Sequence, residues 1–150
     1  MSRVARSARV ASRQRAEIIT GSKTISAAET GELFFINYDA GAGITITLPP
    51  VQEGAYFRFQ FMAQMSNNAA QVDIAAAGTD KIKGTLVNLV YAGSSANTSI
   101  GTNKDDGGDS IVRLIDDIHV GSFVEIYCDG TDWQANGVII ADARDAGVFA

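Results

Sequence analysis

Four groups of residues in this 150-residue chain are of types that could do chemistry. His119, the single histidine, follows Asp116 and Asp117, a grouping that could supply a general base and its orienting carboxylate. A triad also needs a nucleophile on a sharp elbow, and no G-x-S-x-G occurs, so the segment reads as a surface turn between strands. Cys128, the single cysteine, has Asp129 beside it rather than a cation, so a small buried hydrophobe is expected there, not a reactive thiol. One Cys and one His exclude an internal disulfide, a multi-Cys zinc site and every two-histidine metal motif. Asp105, Asp106 and Asp109 suggest a calcium loop. With Asn103 as the first ligand, however, Leu114 stands where the bidentate Glu belongs, and a solvated loop is expected. Phosphate-binding glycine motifs are absent. The expectation is a protein that is not an enzyme, with no catalytic residues, no metal and no cofactor.

The fourth group is arginine. Residues 1–16 hold Arg3, Arg6, Arg9, Arg13 and Arg15 and no acid, a charge of +5, whereas residues 17–150 carry −10, which gives the net −5. Such asymmetry marks an interaction arm on a globular domain. The acidic body argues against nucleic acid, since phosphate contacts need clustered Lys and Arg. The apolar runs are too short to cross a bilayer, and the arginine-rich start has no apolar signal-peptide region. A solvated tail and a transit peptide share this composition. The sharper reading is an arm, residues 1–22, that orders against an acidic partner, because guanidinium groups bind carboxylates bidentately. Ile18 and Ile19 would anchor it if it adds a strand to a partner's sheet edge.

Residues 23–150 must then form the domain that carries the arm. Alternation of apolar and polar residues dominates this stretch. Gly43–Leu48 places Ile44, Ile46 and Leu48 on one face, and Pro49-Pro50 ends the pairing. Tyr56–Ala63 puts Phe57, Phe59 and Phe61 on one side. Further strands are expected at Lys23–Ser26, Glu32–Tyr38, Val72–Ile74, Ser110–Ile115, Phe123–Cys128 and Trp133–Ile140, with two more meeting at a Gly84 bend. Residues 92–108 read as a polar surface loop with one weak strand at Thr98–Ile100. No window holds an amphipathic helix. About nine to ten short strands with Gly, Asn and Asp turns predict an all-β body, a β-sandwich or jelly-roll-like fold, behind an extended basic arm.

Three of these stretches, spanning about residues 44–140, resemble small β-sandwich proteins in the virions of tailed bacteriophages. Ile44–Pro50 followed by Gly54 and Tyr56–Phe61 is similar to their opening strands, Thr79–Gly84 to a middle segment, and Phe123–Trp133 with Asp129-Gly130-Thr131 to their closing hairpin. The resemblance implies a structural role without catalysis, commonly as a homotrimer. A body this small behind a basic arm is most like capsid decoration, or cement, proteins. Such a protein would sit on the outer capsid surface, its arginines and Ile18 and Ile19 docked on the major capsid protein. A head or tail fibre knob would instead place its contacts on residues 92–108. A carbohydrate-binding module would present Trp133, Tyr91 or Tyr127 to sugars.

Overall fold

The computed structural model describes residues 14–90, 99–115, 117–142 and 146–150. Within them the chain is all β: β1 (Ala16–Ile19), β2 (Lys23–Thr24), β3 (Leu33–Ile36), β4 (Gly43–Thr47), β5 (Tyr56–Phe61), β6 (Gln71–Ala75), β7 (Ile82–Val90), β8 (Ser99–Asp105), β9 (Ile111–Ile115), β10 (Phe123–Cys128), β11 (Trp133–Ala141) and β12 (Gly147–Phe149). They form a seven-stranded sheet, β1-β3-β5-β10-β11-β7-β8, and a five-stranded sheet, β12-β9-β6-β4-β2.

The first six strands alternate between the sheets, so the chain winds through three two-strand turns. As a result β1, β3 and β5 pair in parallel, as do β2, β4 and β6. Parallel neighbours need a crossover, and here each crossover is a strand of the opposite sheet. The β10–β11 hairpin then closes antiparallel on β5, and β7 runs parallel to β11. The hairpin turn is fixed by Asp129 Oδ1, which accepts the amides of Thr131 and Asp132 at 2.9 Å. These bonds hold the Asp129 carboxyl below its usual range.

The inward positions of both sheets make one core. Phe34 stacks on Phe59 with centroids 5.4 Å apart, and Phe57 packs on the buried Trp133 at 5.9 Å. Asn88 is buried and satisfied: its amide donates to Gly147 O and accepts from Gly147 N, each at 3.0 Å, which ties β7 to β12 across the two sheets.

The alternating strands lie where the pattern put them; four differences have physical causes. Twelve strands stand among the described residues instead of nine or ten. Within the span read as arm, Ala16–Ile19 is a sheet strand, with Leu33 N donating to Arg15 O and Asn37 N to Ile19 O. The polar stretch Ser99–Asp105 is a full strand held by pairing with β7 rather than by apolar content. Gly84 is no bend; β7 runs through it. Its φ of 147° lets the backbone approach Ala135, whose carbonyl oxygen would lie 1.9 Å from an added Cβ.

Candidate functional site

His119, Cys128 and Asp105, three of the residues that invited a chemical reading, are held by local structure. His119 Nε2 lies 3.0 Å from Asp142 Oδ1, so the histidine ties the turn before β10 to the end of β11. Asp117, in that turn, takes a left-handed φ of 50°; Asp116 lies outside the described residues. The nearby Ser122 hydroxyl donates to Ile140 O and accepts from Ile140 N, so it extends the β10–β11 pairing beyond Phe123 and Val138. Cys128 is buried, as alternation required, and its sulfur accepts from Gly130 N at 3.4 Å. Asp105 Oδ2 accepts the amides of Gly107, Gly108 and Asp109. Burial works against its ionised form, but these backbone donors outweigh it and hold its pKa below the usual value. Among the described residues no group of three or more His, Cys, Asp or Glu is placed to hold a metal ion, and no helix is long and apolar enough to cross a membrane.

Of the arm residues, Arg3, Arg6, Arg9 and Arg13 lie outside the described residues. Arg15 donates to Ala28 O at 2.9 Å. Ile19 belongs to the core of its own domain, whereas Ile18 is 54% exposed on β1, the sheet edge. Beneath this edge Lys23 bonds Glu17 and Glu29 at 2.9 and 2.8 Å and lies over the Phe34 ring. The bond to Glu29 raises the Lys23 pKa despite burial.

Of the aromatic residues considered for sugar binding, Trp133 is buried, Tyr91 lies outside the described residues, and Tyr127 is 43% exposed. Tyr127 stands on the outer face of the seven-stranded sheet, and that face is the most distinctive surface of the molecule. Its outward side chains are segregated along the strand direction. One half is polar: the register aligns Arg58, Glu125, Asn136, Thr85 and Lys104 in one row and Tyr56, Tyr127, Gln134 and Lys83 in the next. Arg58 pairs with Glu125, Lys83 with Asp132 at 2.6 Å and Lys104 with Asp106 at 2.8 Å. Asn136 donates to the Tyr127 hydroxyl at 2.8 Å. Burial and the Glu125 charge push the Tyr56 hydroxyl pKa up.

The other half is apolar. One row runs Ile18, Phe35, Gln60, Phe123, Val138, Val87, Thr102. The next holds Ile140, Leu89 and Ile100. Ile100 is 69% exposed; Met62 just beyond β5 and Val120 just before β10 stand open at the same end. Sequence reading missed this half, although β7 and β11 carry the signal. Leu86-Val87, Leu89-Val90 and Val138–Ile140 are adjacent apolar residues, which place apolar side chains on both faces of a strand.

No family model, no curated protein and no solved structure matches this chain.

Proposed function

We propose that the protein is a structural virion component of the capsid decoration type, a homotrimer bound to the outer surface of the major capsid protein, which it stabilises. The carrying observation is where the charge asymmetry falls on the fold. The +5 of residues 1–16 leads directly into β1, the edge strand whose exposed Ile18 begins the apolar half of the outer face. A chain with a basic leading sequence and apolar side chains on an outer sheet face has both terms that docking on a large protein surface needs, charge-assisted hydrogen bonds and apolar burial. Each arginine contact contributes about 1.5–3 kcal/mol before ordering costs, and many copies on one shell make modest contacts collectively strong. The resemblance of Ile44–Phe61 and Phe123–Trp133 to phage virion sandwiches supports the same reading.

The test is co-sedimentation with empty capsids of the chain lacking residues 1–13. This cut spares Arg15 and Ala16, which hold the β1 edge. Lost binding with unchanged circular dichroism is expected; normal capsid occupancy overturns the proposal. A second reading, host-surface or glycan recognition, is favoured by one feature: the exposed Tyr127 among Tyr56, Asn136, Gln134 and Glu125. Saturation-transfer NMR against a saccharide panel, with Tyr127→Ala as control, would decide for it if the signal were lost in the variant.

A further inference from the structure

No further strand or helix lies over the apolar half of the seven-stranded sheet among the described residues, where only the Arg58 guanidinium rests on the Phe123 ring, 4.3 Å from its centroid. We infer that what covers this half is a further copy of this chain, apolar half against apolar half around a symmetry axis. This rests on the homo-oligomeric part of the proposal above and names the face that part leaves open. Three observations point to this occupant.

The first is shape. Ile18, Phe35, Phe123, Val138 and Val87 lie in a single cross-strand register, with Leu89 and Ile140 one row on. A row of apolar side chains that crosses several strands matches the outer face of another sheet, packed about 10 Å away. The chain itself supplies such a face. The second is size. Seven strands at ~4.8 Å spacing and about six residues at ~3.3 Å rise give a face of roughly 30 by 20 Å. Two whole faces bury on the order of 1,200 Å², the lower bound of stable interfaces, of which the apolar halves supply about half. The apolar half would form the interface core and the polar half its rim.

The third is charge. Copies of a chain with net −5 repel one another wherever their acids meet. On this face the outward charged residues of the strands are Arg58, Lys83, Lys104 and Glu125, and each has an ion-pair partner. The negative excess of the body therefore lies elsewhere, and two copies can meet here without like-charge contact. Exposed apolar patches beyond a few hundred Å² mark interaction sites in soluble proteins.

The experiment is light scattering on the full chain alone, across a dilution series, with the double variant Leu89→Lys, Val138→Lys and the control Thr45→Lys on the opposite face. Expected is a mass two or three times 15.8 kDa for the parent and the control, and a monomeric double variant with unchanged circular dichroism. The weakening should be at least a hundredfold. Should the double variant fail to fold, Leu89→Gln with Val138→Thr keeps the strands and should weaken association at least tenfold. A parent that is monomeric at its highest soluble concentration overturns the inference, and so does a folded variant of either design that keeps the parent's mass. Capsid co-sedimentation is read separately. A monomer that binds capsids overturns this inference and the homotrimer but leaves capsid binding standing, and an oligomer that ignores capsids overturns the decoration reading alone.

Discussion

The two outer faces of the sandwich are made differently. On the five-stranded sheet the outward positions carry Thr24, Thr45 and Thr47 on β2 and β4, Gln71 and Asp73 on β6, and Arg113 on β9, with the apolar Ile111, Ile115 and Val148 confined to β9 and β12 at one side. Arg113 meets Asp73 bidentately, at 3.0 Å twice, and Gln71 donates to the same carboxylate at 2.9 Å. On the seven-stranded sheet half the face is Phe, Val, Leu and Ile. Both faces cover the same core, so burial within the chain cannot explain the contrast. On the five-stranded face threonines and a closed ion pair separate the few apolar side chains. The proposed self-association rests on the seven-stranded face, where half-buried aromatics and aliphatics run together across the strands.

The largest expected effect lies inside the seven-stranded sheet itself. Gly84→Ala forces a Cβ into the Ala135 carbonyl, so unfolding in urea should show a loss of at least about 3 kcal/mol. Gly78→Ala, which also has positive φ but open space around it, should lose only about 1 kcal/mol. Next comes a pair of neighbours that separates core from face. Ile139 is fully buried and Ile139→Ala should lose about 2–4 kcal/mol. Ile140 points outward, and Ile140→Thr should leave the stability of the dissociated chain within about 0.5 kcal/mol while weakening self-association.

The ion pairs of the two faces should also differ. Arg113→Ala leaves the nearly buried Asp73 carboxylate without its guanidinium and should cost about 1–3 kcal/mol. Arg58→Ala breaks a pair whose side chains are about a third exposed, and about 1 kcal/mol or less is expected. Equal losses would break the comparison.

The smallest effect concerns acid. Asp39, Asp105, Asp129 and Glu29 all have folded pKa values below their ordinary 3.8 or 4.5. A depressed folded pKa contributes stability that is present above the unfolded value and lost as pH falls through the folded one. Thermal midpoints should therefore hold from pH 7 to about 5 and decline below about 4. These carboxylates bond the backbone in turns or pair at the β1 edge, so substitutions on either face should leave that decline in place.

Much of this fold is legible in the sequence where order is local. The β5 segment YFRFQF buries Phe57, Phe59 and Phe61 as its period of two requires, and Asp129-Gly130 turns the chain by Asx chemistry. What escapes is non-local. Nothing in Ser99–Asp105 alternates in hydropathy, because β8 exists through its register with β7. The parallel winding of β1 to β6 depends on which sheet each strand joins, and no short-range signal carries that. The apolar half-face was spelled in LVNLV and GVII, but on one chain such runs read equally as core.

One measurement tests the central claim, that the seven-stranded face is the working surface, most directly. Single cysteines are placed by Val138→Cys and by Thr45→Cys, with the buried Cys128 unchanged, and each protein is treated with a short thiol–thiol cross-linker. The account predicts covalent oligomers from Val138→Cys that disappear in denaturant, and a monomer from Thr45→Cys. Equal cross-linking from both faces, or cross-linking from Thr45→Cys alone, would contradict it.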